Sequence, residues 1–415
     1  TKSRSAFLGF FVADLVLWVL AFIIKRKKVL AAFIISNLLF ILLFLLVNTP
    51  WSLRKITTPE KIQGPALEVG GTESGTIRKI VWKGALQVWL HYPIFGSGVE
   101  TFAYSYYKFR PVEHNLVSEW DFLYNKAHNE YLNLAATTGT LGILSYLYLI
   151  GTIFFVFLKK PNIFSVSLAG GFAGILISNF FGFSTVSTQL QFFLFPALAL
   201  ILKKDKDDDK TDKNKLIQLP TRQKFWITIP CLFGLLILYS IFRYWYADTR
   251  YAYGKSFNDQ GSYVQGQTYL QNAIKYSGSE PVFHSELANS YAGIALSLHE
   301  LKKDNDAPPF MDLAVSESVR ATTLSPANVN LLRSRAGVLI KLASIDPKYL
   351  GFAKETLASA TQKAPTDAKL LYNLALVYIR TGEIDESIKL LKKVIEMKSN
   401  YKEAKDLLNM IHKTF

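Results

Sequence analysis

Apolar stretches long enough to cross a lipid bilayer leave this chain few alternatives to a membrane-embedded helical fold. They run over residues 6–24, 29–47, 139–158, 163–181, 186–202 and 225–242. At 1.5 Å of rise per residue, about twenty apolar residues cover a hydrocarbon core of about 30 Å, where only a helix satisfies its own backbone. The first stretch is broken only by Asp14. After Phe242 the composition becomes that of a soluble helical protein, so the average of 50% hydrophobic residues describes neither half. The expectation is an all-α chain with a polytopic membrane domain followed by an α-solenoid of helix pairs.

Charge sets the orientation. A formal charge of +15 would point to nucleic acid in a soluble protein. Here much of the Lys and Arg stands in short clusters beside apolar stretches, which argues against nucleic acid and for a topology signal. The clusters are KRKK at 25–28, Lys159 with Lys160, and KKDKDDDKTDKNK at 203–215. Placed in the cytoplasm, all three give one arrangement. Residues 1–47 form two transmembrane helices, and 48–138 an extracytoplasmic loop expected to be catalytic. Residues 139–202 form three transmembrane helices, 203–224 a charged cytoplasmic linker, 225–243 a further transmembrane helix, and 244–415 an extracytoplasmic repeat domain. The single cysteine, Cys231, excludes an intrachain disulfide. The chain starts at Thr1, just before a span and without a charged leader, and so reads as a fragment lacking earlier helices.

The tail carries a repeat. Pro281, Pro326 and Pro365 each precede a helical pattern, and the last unit has the small and large apolar positions of a tetratricopeptide repeat, at Tyr372, Ala375, Tyr378, Gly382, Ser387 and Leu391. Units from about Ala247 onward should stack, with Tyr401 to His412 as a capping helix. Such an array offers a concave surface to a protein partner; the alternative is a spacer, or packing on the membrane domain.

The candidate chemistry lies in the external loop. Residues 76–91, TIRKIVWKGALQVWLH, have the periodicity of an amphipathic helix at headgroup level, with Arg78 on its first turn, where a guanidinium and a helix N-terminus can hold an anion. His128 starts a helix that runs into the next span. Its ordinary pKa suits a general base, and the topology puts it on the same face as Arg4 and Arg78. A base beside guanidiniums fits deprotonation of a hydroxyl and departure of a diphosphate. Arg110, on the same loop, is a third anion-binding candidate. Asp14, an acid within an apolar helix, faces a cavity or pairs with a basic residue on another helix. Asn129 and Glu130 are supporting candidates beside His128. The loop's acids and histidines lack the clustering of a metal site, so no metal and no cofactor is expected.

Three blocks of residues resemble the O-antigen ligase and polymerase superfamily of bacterial membrane proteins. They are SRSAFLGF at 3–10, ESGTIRKIVWKGALQVWLHYPIFGSGVETF at 73–102 and AHNEYLNLAATTGTLG at 127–142. The family's Arg-x3-Leu pattern falls on Arg4 and Leu8, and its His-x10-Gly pattern on His128 and Gly139. The resemblance covers about residues 1–202 and implies a GT-C-like glycosyltransferase in the cytoplasmic membrane. Its donor would be an undecaprenyl-diphosphate-linked glycan, its transfer metal-independent and inverting, and its products surface polysaccharide such as lipopolysaccharide. Arg4 and Arg78 would bind the lipid diphosphate, and His128 would assist the acceptor hydroxyl. Members usually have around a dozen spans. The fused repeat array leaves the acceptor open among lipid A core, another glycan and a protein. A scaffold that recruits partners through the array is the reading of a different class.

Overall fold

The computed structural model describes residues 4–25, 29–46, 72–204 and 221–414. Outside the described residues lie the basic turn at 26–28, the first part of the external loop at 47–71 and most of the charged linker, 205–220. The described residues are all-helical, without a strand. They divide into two compact units, Thr1–Lys213 and Asn214–Phe415.

The first unit holds α1 (Arg4–Lys25), α2 (Leu30–Leu46), α3 (Ser74–His91), α4 (Phe102–Phe109), a short 3-10 turn (Val112–Leu116), α5 (Glu130–Leu158), α6 (Ile163–Phe180) and α7 (Val186–Lys204). Helices α1 and α6 cross closely because small residues line both sides. A Cβ placed on Gly170 would lie 2.8 Å from the Ala13 carbonyl oxygen, and one on Gly174 would lie 3.1 Å from the Gly9 carbonyl oxygen. Such small-residue seams replace the hydrophobic driving force that is absent between helices in lipid. Below the seam, Phe157, Phe172 and Phe192 from α5, α6 and α7 form an aromatic core. Asp14 accepts a hydrogen bond from Trp18 Nε1 at 2.8 Å, one turn along the same helix. That bond partly answers the demand of an acid at this depth for a polar partner.

Among the described residues, four helical stretches are long and apolar enough to cross a membrane: Phe7–Ile24, Glu130–Leu158, Ile163–Phe180 and Trp226–Asp259. Two further apolar stretches, Leu30–Leu42 and Val186–Ile201, are shorter. The protein is therefore multi-pass.

In the second unit, α8 (Thr221–Asp259) is one continuous helix whose first half is apolar and whose second half packs on α9 (Tyr263–Tyr276). Then α10 (Pro281–Glu300) pairs with α11 (Pro308–Leu324), α12 (Val329–Leu342) with α13 (Tyr349–Lys363), and α14 (Ala368–Arg380) with α15 (Ile384–Met397). Last comes α16 (Lys402–Thr414), over the segment expected to cap the array. Each pair buries the stripe it cannot cover alone, around Leu270, Leu287, Leu339 and Leu357. At the Ala-like position of the last repeat, Ser387 is fully buried and donates to the Ala375 carbonyl at 3.0 Å, which offsets the cost of burying its hydroxyl.

Candidate active site at the start of the fifth helix

Helix α3 buries Ile77, Val81, Ala85 and Val88 against Phe102, Tyr106, Val117, Tyr124, Ala127 and Ala136. The face assigned from its periodicity to lipid headgroups thus packs on protein. The reason is local: α4 and the segment up to Ala127 are rich in aromatic side chains that need cover, and α3 is their nearest apolar partner. Inside this core Tyr106 hydroxyl and His114 Nδ1 are 2.8 Å apart, both buried. Burial, reinforced by the Arg110 charge, pushes the His114 pKa down to about 3.

Arg110 departs from its expected role. It is 4% exposed, and its Nη2 donates to Asn115 Oδ1 at 2.7 Å and to the Trp120 carbonyl at 2.8 Å. Hydrogen bonds to protein stabilise a buried guanidinium, and through these two Arg110 helps hold the loop's interior together.

The turn that follows α3 is inserted into a break in α5. At Gly139 the backbone has φ 67° and ψ −168°, outside the helical region. Four hydrogen bonds seal the gap. Ser97 N donates to Ala136 O and Gly98 N to Thr137 O, both at 2.9 Å, while Thr140 N donates to Pro93 O at 2.8 Å and Leu141 N to Ile94 O at 3.3 Å. Carbonyls freed by the break are therefore satisfied by loop amides, as a helix at membrane depth requires. Gly96, at φ 72°, passes so close to Thr137 that a Cβ would sit 2.2 Å from its carbonyl carbon.

Asn129 starts the short half of α5 before this break. It is 2% exposed and caps the helix by accepting from Leu132 N at 3.0 Å. Asn133 Oδ1 accepts from Ala127 N at 3.2 Å. Between these two anchors His128 is held at φ 53°, a left-handed conformation that a bulky residue adopts only when its surroundings enforce it. Glu130 Oε2 accepts from Ser184 N at 3.3 Å and so ties the loop between α6 and α7 to the same place.

That loop brings Phe183 over His128, with ring centroids 5.3 Å apart. Tyr124 contacts the imidazole as well, at 5.8 Å. The three rings help to wall a cavity of about 220 Å³ that is also lined by Glu119, Phe122, Leu123, Asn125 and Lys126. His128 is half-buried, and no described residue hydrogen-bonds to its ring nitrogens. Burial lowers its pKa and the nearby Arg78 guanidinium lowers it further, against an opposing pull from Glu119. A neutral imidazole with free nitrogens in a cavity can take a proton from a hydroxyl.

The expected set is thus partly assembled. Arg78, half-buried on α3, stands within electrostatic reach of His128. Arg4 begins α1, five residues before the Gly9 seam with α6; by helix geometry its backbone lies about 7.5 Å beyond that seam, toward the 181–185 loop. The Arg4 side chain lies outside the described residues. Asp14 belongs to the helix interior beside Trp18. Glu119, Tyr124, Lys126 and Phe183 were not singled out in the sequence. Their only signal there was an aromatic and charged composition in a loop, and their convergence depends on tertiary structure. Among the described residues no group of three His, Cys, Asp or Glu side chains could hold a metal ion.

Residues 1–147 match the O-antigen ligase family, and residues 353–411 match a tetratricopeptide repeat. The first match includes Arg4, Arg78, His128 and Gly139 and stops before Phe183. It supports a membrane glycan-transferring function. No curated protein matches the chain.

Proposed function

We propose that this protein moves a glycan from an undecaprenyl-diphosphate carrier to an acceptor hydroxyl on the outer face of the bacterial cytoplasmic membrane, without a metal and with inversion. One observation carries the reading: among the described residues none hydrogen-bonds the ring nitrogens of His128, which lines a cavity where burial and the Arg78 charge lower its pKa. The acceptor O–H proton passes to a ring nitrogen of His128. The oxygen bonds to the anomeric carbon as that carbon's bond to the diphosphate oxygen breaks, and the diphosphate leaves with the electron pair. Attack from the face opposite the leaving group inverts the configuration.

Arg78 stabilises the charge that grows on the diphosphate, with Arg4 as its partner. Asn129 and Glu130 keep the His128 turn in place. Because burial and Arg78 both disfavour the imidazolium, His128 stays a base at neutral pH and binds substrate protons only as the reaction proceeds. The 244–415 repeat array would lie on the same outer face, where its concave surface could receive a protein or guide an acceptor. Lipid A core, a growing glycan and a protein side chain all satisfy this chemistry as acceptors.

Purified full chain in lipid nanodiscs, supplied with undecaprenyl-diphosphate-linked glycan and acceptor, tests the reading. His128→Gln and Arg78→Ala should each reduce transfer about 100-fold or more with normal membrane insertion. Full transfer by His128→Gln would mean that His128 is not the base, and no transfer by the unsubstituted chain would leave the scaffold reading in its place. Accumulated free lipid-linked polymer in a deletion strain would identify a ligase, and shortened chains a polymerase.

A further inference from the structure

His128 becomes a cation in the reaction proposed above. It does so beside the Arg78 guanidinium and in a half-buried site, and both features oppose the new charge. The departing diphosphate answers the Arg78 charge, and an anion beside the imidazole makes the proton transfer to it more favourable.

Among the described residues the ionisable groups around the imidazole are few. Helix α3 supplies Arg78; the loop supplies Glu119, Tyr124 and Lys126; the start of α5 supplies Glu130. The 181–185 loop brings Phe183 and no charge. Glu130 is engaged with the Ser184 amide. Lys126 Nζ meets both carboxylate oxygens of Glu100, at 2.5 and 2.6 Å. Glu119 remains. It lines the His128 cavity, and its Oε2 accepts a hydrogen bond from the Tyr124 hydroxyl, whose ring contacts the imidazole.

We propose that Glu119 is the counter-anion of His128, a positioning residue fixed by Tyr124 that stabilises the imidazolium formed when the acceptor is deprotonated. This rests on the transferase reading. The proton travels from the acceptor oxygen to a ring nitrogen of His128, and Glu119 gains none. Tyr124 suits the anchoring role because burial, and then its bond to Glu119, hold its phenol well above the ordinary range, so it remains a donor at any working pH. Arg78 and Glu119 thus act on the imidazole in opposite senses, one keeping it neutral before the reaction and the other accepting its charge during it.

The test is a titration of ¹⁵N-histidine-labelled full chain in nanodiscs, with the His128 signal identified by its loss in His128→Gln. Glu119→Gln keeps an acceptor for Tyr124 and removes only the charge. It should lower the His128 pKa by about half a unit or more and reduce kcat about tenfold, with KM for the lipid-linked donor changed less than about twofold. Glu119→Asp should restore most of both. An unchanged His128 pKa in folded Glu119→Gln overturns the proposal, and so does a lowered pKa with unchanged kcat. Retained transfer by His128→Gln would overturn the proposal by removing His128 as the base, whereas no transfer by the unsubstituted chain supplied with donor and acceptor would remove the transferase reading, whatever the titration of Glu119→Gln gives.

Discussion

Gly139 admits the Ile94 carbonyl into the middle of α5: a Cβ on this glycine would lie 2.2 Å from the Ile94 oxygen. The contact gives physical content to the eleven-residue interval between His128 and Gly139. The short half of α5, residues 130–138, is a strut of roughly 14 Å by helix geometry. His128 stands at its outer end and the sealed break at its inner end. Shifting either end by one residue would rotate the imidazole about 100° around the strut.

Gly139→Ala should therefore be more damaging than an ordinary helix substitution. Its φ and ψ lie in a region open essentially to glycine, and the displaced atom is backbone and cannot rotate away. A loss of about 3 kcal/mol or more is expected, read as a lowered Tm and increased proteolysis at residues 93–98. An alanine variant with wild-type Tm would mean that the break is not enforced.

The pH dependence of transfer should reflect the lowered His128 pKa. An ordinary histidine would lose its base function as pH falls below about 6.5, whereas here the acid limb should begin lower. Arg78→Gln removes one of the two depressing influences, so its residual activity should show an acid limb moved toward neutral pH. A limb that moves to lower pH, or does not move, would show that Arg78 does not act on His128.

These expectations separate what was legible in the sequence from what was not. The membrane helices and the repeat pairs follow from periodicity and spacing, because a helix fixes relative positions along one element, whereas the pairing of His128 with Arg78 is expected from topology and family resemblance. Asp14 was read as facing a cavity or pairing with a basic residue on another helix; its bond to Trp18, one turn away, is one that helical spacing alone would have offered. Glu119, Tyr124 and Phe183 come from two loops whose paths depend on the Gly139 break and on the Glu130 to Ser184 bond. Arg110 went astray for a related reason: sequence shows a charge on an external loop but not which way the loop folds it. The face of α3 likewise had two apolar destinations, lipid and protein, and its periodicity could not choose between them.

Asp367 is a point where the repeat array should be brittle. It caps α14 by accepting from Lys369 N at 3.0 Å and Leu370 N at 3.1 Å, and it pairs with Arg333 Nη2 at 2.8 Å. Its side chain is only 4% exposed. Asp367→Ala removes the cap and leaves Arg333 without this carboxylate, a loss of roughly 3 kcal/mol. Asp367→Asn should recover the cap but not the ion pair and lie between. Equal Tm values for the two variants would mean that the ion pair alone accounts for the loss.

The two units should respond to acid in opposite directions. In the first, His114 is buried neutral, so between about pH 6.5 and 3 the unfolded segment binds a proton that the folded one refuses. Its stabilising contribution is complete above pH 6.5 and is lost as pH falls through the folded value of about 3, several kcal/mol at the limit. In the second unit, His284 is buried with Nδ1 2.5 Å from Glu317 Oε2 and Nε2 2.9 Å from the Gly278 carbonyl. Burial works against its charge, but these two acceptors outweigh it and raise its pKa. Protonated His284 stabilises the array fully below pH 6.5, and that contribution fades as pH rises through its raised value. Hydrogen exchange at pH 5.5 and 7.5, corrected for intrinsic rates, should thus show amides of 77–109 opening more easily in acid and amides of 283–323 less easily. Glu317→Gln should abolish the second effect and leave the first intact. Parallel changes in both segments would refute the assignment to these two histidines and point to a global charge effect instead.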